Sequence, residues 1–331
     1  MRTVSKPIPH TLAGGAVRML CAVALVLMTL GLFNLAAAAE VVALTDASGS
    51  AAEDWWLWPL ALFAIALVIG VVSVMGGIGG GTLFVPVVGA LFPFHLDFVR
   101  GAGLILALAG ALAAGPQLLR DGLASLRLAM PLALFGSVFS VLGAMVGLSL
   151  PASVVQIALG LLVCAIALLM LRSSVAAQQG GVQADAIAQA LGIRGRYVDP
   201  ADGSAVRWTV HRTMGGVPVF ALIGFMGGLF GIGAGWANMP ALNLLMGAPL
   251  KLAAGTSGLL LSVVNTSATW VYLNRGAVLP LLVVPTVLGV MLGAMLGGRL
   301  LRRVSARTVR YTVIVLLLAA GLRSLIKGLA A

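Results

Sequence analysis

The chain predicts an all-α polytopic membrane protein made of two inverted-topology repeats of about five membrane segments each. Of its 331 residues, 61% are hydrophobic and 9% are charged, whereas soluble domains carry about a quarter charged residues. The charges fall between apolar runs, each close to the roughly 20 residues that cross a bilayer. A glycine-rich decapeptide, GIGGGTLFVP at 77–86, returns as GIGAGWANMP at 231–240.

The formal net charge of +11 sits mostly at the ends of apolar segments. That placement reads as a positive-inside topology signal and not as a nucleic-acid surface. Cys21 and Cys164 lie far apart in apolar runs, which predicts neither a disulfide framework nor a metal site. No cofactor is expected.

Residues 1–40 carry Arg2, Lys6 and Arg18, then an apolar run, then AAAAE. This is the pattern of a signal peptide, and equally of a first transmembrane helix. Either places 41–56 outside the cytoplasm as a periplasmic segment, with Trp55, Trp56 and Trp58 as an interfacial aromatic belt. The first repeat, 57–172, has charge-free runs at 55–96, 101–119 and 128–171. They predict segments near 57–75, 78–94, 101–119, 128–148 and 152–171. The polar stretch 173–216 reads as a cytoplasmic linker with a small hairpin around the D-P-A-D-G turn at 199–203. The second repeat, 217–331, has charge-free runs reaching 250, at 252–274 and at 276–298. Its last segment, near 306–328, contains Arg307, Arg310, Arg323 and Lys327, whose long side chains are expected to snorkel to the headgroups.

One offset of 154 residues aligns the halves without a gap. Gly77, Gly79 and Gly81 fall on Gly231, Gly233 and Gly235, and Pro86 falls on Pro240. Gly101, Gly122, Pro131 and Gly143 fall on Gly255, Gly276, Pro285 and Gly297. The loop GLSLPAS at 147–153 is uncharged, while its counterpart carries Arg299, Arg302, Arg303, Arg307 and Arg310. Equivalent loops on opposite faces require an odd number of crossings per half. Five crossings satisfy this, and so do three plus one re-entrant hairpin.

Glycines so dense cannot form a comfortable helix interior, since each costs about 1 kcal/mol relative to alanine. They fit broken helices or re-entrant hairpins at 76–86 and 230–240, where irregular backbone lines a polar cavity. A helix restarting there presents free N–H groups and the positive end of its dipole, an arrangement suited to anions. Candidate substrate contacts are Gly79, Gly80, Gly81, Gly233 and Gly235 as backbone donors. Asn238, Thr256, Ser257 and Asn265 would orient the anion, and Trp236 or Trp270 would wall it. Arg100 and Lys251 would draw anions to the pathway mouths, and His95 is a weak candidate for a proton-linked group. All nine acidic residues lie in expected loops or at segment ends. That disfavours a cation pathway, and with no catalytic cluster the protein is not expected to be an enzyme.

The pattern G-x-G-G-G-x-x-x-x-P, then A-x-G-T-S and a span closing on R-G, resembles the TauE/SafE family of sulfite exporters. GIGAGWANMPALNLLMGAPLKLAAGTSGLLL and YLNRGAV carry the resemblance best. GIGGGTLFVPVV carries it in the first half, where VRGAGLIL lacks the Thr-Ser. The resemblance covers 57–172 and 213–328 and departs at Ala234, Trp236 and Asn238. It implies a multi-pass carrier in a bacterial inner membrane, exporting sulfite or an organosulfonate by alternating access. A passive anion channel and an uptake permease for another anion are the alternatives. The expected partners are a small sulfur-containing anion and membrane lipid, not nucleic acid; a homodimer is compatible with this reading.

Overall fold

A computed structural model describes residues 57–76, 79–92, 94–120, 122–172, 183–198, 205–233, 235–300 and 306–330. The N-terminal segment 1–56 with Trp55 and Trp56, the turn at 199–203, and Gly77, Ala234, Arg302 and Arg303 lie outside the described residues. The first half holds α1 (Leu57–Gly76), α2 (Gly80–Leu91), α3 (Leu96–Arg120), α4 (Leu126–Ser149) and α5 (Ala152–Arg172). Between the halves lie α6 (Ala186–Ala190), β1 (Arg194–Val198) and β2 (Ala205–Thr209). The second half holds α7 (Thr213–Phe230), α8 (Gly235–Pro240) running into a π-helical turn (Ala241–Leu245), α9 (Leu250–Asn274), α10 (Pro280–Leu300) and α11 (Ala306–Ala330).

The chain is therefore helical and of multi-pass membrane character. Leu126–Ser149, Ala152–Leu171, Thr213–Phe230, Pro280–Gly297 and Val313–Ala330 are long and apolar enough to cross a bilayer. Trp58–Ser73 and Gly80–Leu91 are shorter apolar helices.

Both glycine decapeptides break a helix. The first break falls between Gly76 and Gly80, the second between Phe230 and Gly235. The chain then turns back on itself. Near the start of α1, Trp58 packs edge-on against Phe92 and Phe94 just beyond α2, at 5.9 and 6.0 Å between ring centres. Trp58 thus ties the base of a helical hairpin. In the second half the His211 amide, just before α7, donates to the Met246 carbonyl at the end of the π-helical turn at 3.1 Å. Each half-helix therefore returns to the end from which its hairpin entered.

Small residues set the packing of the long helices. A side-chain carbon on Gly289, Gly293 or Gly297 of α10 would strike the carbonyls of Phe63, Leu67 or Val71 of α1. The two numberings rise together, so α1 and α10 run in the same direction. Alike, Gly224 of α7 meets Gly136 of α4, Gly143 meets Phe225, and Gly147 meets Leu229. The other two pairs are antiparallel. Gly101 of α3 lies against Ala277 just beyond α9, and Gly255 of α9 against Leu123 just beyond α3. Gly160 of α5 meets Gly321 of α11, while Gly328 meets Ser153. Close backbone approach through small residues is how helices associate where lipid removes the hydrophobic drive.

The linker carries the hairpin expected from its turn. β1 and β2 pair antiparallel with Arg196 opposite Arg207 and Tyr197 opposite Val206. It is also docked on the bundle, through Ile193, Tyr197, Trp208 and Val210, buried beside Leu128, Phe220 and Met246. Asp185 pins its start. One carboxylate oxygen accepts from the Ala188 amide at 3.0 Å and the Thr213 hydroxyl at 2.9 Å; the other accepts from the Thr213 amide at 2.9 Å. One side chain thereby caps both α6 and α7. Burial pushes this carboxyl up, but the hydrogen bonds from Thr213 and Ala188 outweigh it and hold it below the usual aspartate range.

Replacing Gly143 by leucine forces α4 and α7 apart and should cost about 1–3 kcal/mol, lowering the thermal midpoint in detergent by several degrees. Gly215→Leu, where nothing lies within 4 Å, should leave the midpoint unchanged or slightly raised. A depressed carboxyl stabilises above its unfolded pKa and loses that contribution as pH falls through the folded one. Limited proteolysis of the linker should therefore accelerate as pH falls below about 4, and Asp185→Asn should be cleaved readily at neutral pH without that acid dependence.

Candidate functional site

The two broken helices meet at α3. A side-chain carbon on Gly81 would come 2.9 Å from the Ile232 carbonyl, 2.7 Å from that of Gly103, and 3.2 Å from the Ala107 methyl. The same methyl lies 3.2 Å from that position on Gly233. The Thr82 hydroxyl donates to the Ile232 carbonyl at 3.4 Å. The first copy of the glycine loop thus lies against the second, with Ala107 shared between them.

Gly79 caps α2 with φ 76° and ψ 144°, backbone that glycine adopts freely. Gly79 has no side chain to cap this helix, whose first N–H groups stand at the positive end of its dipole. Gly80 is buried beside Leu106 and Val290. Gly233, at φ 67°, lies 3.0 Å from the Asn265 amide nitrogen, measured to where its side-chain carbon would stand. Gly235 and Asn238 are buried on α8, which packs against α9.

Four polar groups here are buried and unpartnered: the Trp236 indole nitrogen, the Asn238 and Asn265 amide nitrogens, and the Thr269 hydroxyl. Asn238 and Asn265 are each 1% exposed. A buried polar group without a partner costs about 1–3 kcal/mol, which makes these groups on α8 and α9 candidates for contact with a ligand. Trp236 also packs against both large apolar clusters of the molecule.

The remaining sequence candidates divide. The Thr256 hydroxyl accepts from the Ser125 amide at 3.2 Å, which ties α9 to the start of α4. Ser257 is buried on α9, eight residues and about 12 Å along the helix from Asn265. Ser262, Thr266 and Ser267 return their hydroxyls to carbonyls of their own helix. Trp270 corrects an expectation: it is 66% exposed. Five positions beyond Asn265, it is turned by about 140° around the helix, so it faces outward and does not wall the site. Lys251 is exposed in the first turn of α9.

Arg100 is a second correction. It does not stand at a mouth but is 0% exposed. Its guanidinium pairs with Asp97 at 2.6 Å and donates to the Gly147 carbonyl at 3.1 Å and to the Leu229 carbonyl. It also lies 5.4 Å from the centre of the Tyr272 ring, whose hydroxyl donates to the Gly228 carbonyl at 3.0 Å. Gly147 and Leu229 belong to the last turns of α4 and α7, whose free carbonyls attract a cation. Arg100 therefore clamps two parallel helix ends immediately beside Gly231, whose α-carbon abuts its backbone. His95 is exposed, 3.5 Å from Asp97. Arg323 and Lys327, expected to snorkel, instead donate to the Ala90 and Gly89 carbonyls at 3.0 and 2.9 Å. They hold the far end of α2.

Ala107, Gly103 and Thr82 were not singled out by sequence; the small residues of RGAGLILALAG were the available signal. Among the described residues no group of three His, Cys, Asp or Glu gathers to hold a metal.

Arg100→Met should leave Asp97 and two helix ends unpaired and cost about 3–5 kcal/mol, read as a large fall in the thermal midpoint. Arg100→Lys should rescue little, because one ammonium cannot reproduce the planar fork that reaches Asp97, Gly147 and Leu229 together.

A family model described as "Sulfite exporter TauE/SafE" matches residues 62–324, spanning both halves and the linker between them. No curated protein and no solved structure matches the chain. By that match the chain belongs to the TauE/SafE sulfite exporter family.

Proposed function

We propose that this protein is a secondary transporter of a bacterial inner membrane, exporting sulfite or a small organosulfonate by alternating access between two inverted repeats. The observation that carries the reading is the junction of the two glycine loops at Ala107. There the start of α2, preceded by a glycine with no side chain to cap it, lies near amide donors that are buried and unpartnered among the described residues. Family membership supports a sulfur anion as cargo and a carrier in preference to an enzyme.

The contact pattern supports the inversion. Under the 154-residue offset, the contact of Gly101 with Ala277 maps onto that of Gly255 with Leu123. The contact of Gly143 with Phe225 maps onto that of Gly297 with Val71, and Gly70 with Val290 onto Gly224 with Gly136. The equivalent pairs α3/α9 and α5/α11 run antiparallel, as a two-fold axis in the membrane plane requires. Each half then makes three full crossings plus one re-entrant hairpin, and the site lies between repeats, where such carriers bind substrate.

Purified protein in proteoliposomes should show saturable flux of radiolabelled sulfite or of methanesulfonate, with zwitterionic taurine and dianionic thiosulfate as comparison solutes. Gly81→Leu and Gly235→Leu should each reduce that flux at least tenfold while the protein remains folded. Flux that never saturates would support a channel, and unchanged flux in both variants would remove the site assignment. Tags at positions 150 and 305 should report opposite faces of the membrane; finding both on one face would refute the inversion.

A further inference from the structure

The proposed site recognises its cargo without a formal charge, and this limits the charge the cargo can carry. The helices around the junction are α2, α3, α8, α9 and α10. Neither α2 nor α8 contains an Asp, Glu, Lys, Arg or His, and α10 has none before Arg299. On α9 the single charged residue is Lys251, in the first turn, fourteen residues and about 21 Å along the helix from Asn265. On α3 the charges are Asp97, Arg100 and Arg120, with His95 just before the helix. Arg100 abuts Gly231 of the second loop and keeps one unpartnered donor, its Nε, but it stands seven residues before Ala107, about 10 Å along the helix, and its charge is matched by Asp97 at 2.6 Å. Arg323 and Lys327 lie at the opposite end of α2 from the junction.

What remains at the junction is a set of neutral donors. The indole N–H of Trp236 and the amides of Asn238 and Asn265 are buried and unpartnered. The start of α2 adds the equivalent of about +0.5 charge. The cost of stripping water from an ion rises with the square of its charge, and no counter-charge here offsets it. Half a positive charge and several neutral donors suit one negative charge spread over several oxygens, and do not suit two.

Resting on the transporter reading above, we infer that the site selects monoanions: a sulfonate, or the hydrogensulfite form of sulfite, with sulfate and fully ionised sulfite excluded by charge although they present similar oxygens. A sulfonate keeps one charge across the physiological range. Sulfite titrates between monoanion and dianion near neutrality, so the same protein should show two pH behaviours. The protein's own groups need not titrate for this.

The test is proteoliposome flux from pH 6 to pH 8 with labelled methanesulfonate, sulfite and sulfate. Methanesulfonate should move with a KM that is flat across this range. The KM for total sulfite should rise several-fold toward pH 8, following loss of the monoanion. Sulfate should neither move nor compete. Sulfate competing as well as methanesulfonate, or a sulfite KM that does not change, would overturn the inference. So would an equal acid stimulation of both substrates, which would reveal proton coupling in place of charge selection. Asn265→Asp, nearly the same shape but acidic, should abolish flux of both monoanions, while Asn265→Gln retains part of it. Intact flux in Asn265→Asp would show that the site lies elsewhere. If no sulfur anion moves in the unaltered protein, the transporter reading itself fails, and the charge selection with it.

Discussion

A helix broken inside a bilayer leaves carbonyls at one end and N–H groups at the other, with no water to pair them. Most of the polar architecture of this protein answers that constraint. The carbonyls are taken up by side chains brought from other elements. Arg100 and Tyr272 serve the end of α7 at the second break; away from the breaks, Arg323 and Lys327 serve the far end of α2, and the Asn243 amide donates to the Ala248 carbonyl just beyond the π-helical turn at 2.8 Å. The N–H end of α2 follows Gly79, which has no side chain to offer as a cap. On the proposed reading, those N–H groups and the unpartnered amides near them would take an acceptor from outside the protein, and an oxyanion is all acceptor.

The two halves share a backbone plan but not a chemistry. Thr82, Phe84, Ala111 and Gly115 occupy the places that Trp236, Asn238, Asn265 and Thr269 hold in the second half. The first half contributes the longer half-helix that starts after Gly79 and the small residues Gly103 and Ala107. The second contributes side-chain donors. A site at the meeting of two equivalent loops can thus grip an asymmetric cargo, with the backbone on one side and amides on the other.

Much of this was legible in the sequence. The glycine breaks, the 154-residue offset and the placing of Asn265, an amide, within a membrane segment each follow from a local rule about what hydrocarbon tolerates. The linker hairpin followed from its turn residues. The roles of Arg100 and Trp270 were not legible. Arg100 stands beside Asp97 at a segment edge, as an interfacial anchor would, and only the convergence of α4 and α7 buries it. Trp270 lies one face away from Asn265, and spacing alone does not say which stripe of a helix with small residues all round will turn inward. The basic residues of α11 misled in the same way, because their carbonyl partners lie on α2, more than two hundred residues earlier.

The Arg100 clamp has no counterpart, since Ala254 occupies its place in the second half. In a carrier made of two identical inverted halves, the conformations open to either side would be mirror versions of one another and equally populated. A cation tied to two helix ends on one face alone removes that degeneracy. Under the alternating-access proposal, a state that kept this clamp would be favoured before any cargo binds over one that pulled the arginine away from Asp97 and two carbonyls. The net direction of flux would still be fixed by the gradients across the membrane. The clamp would set instead which reorientation step is slow, and loading from the two sides would proceed at different rates through one and the same site.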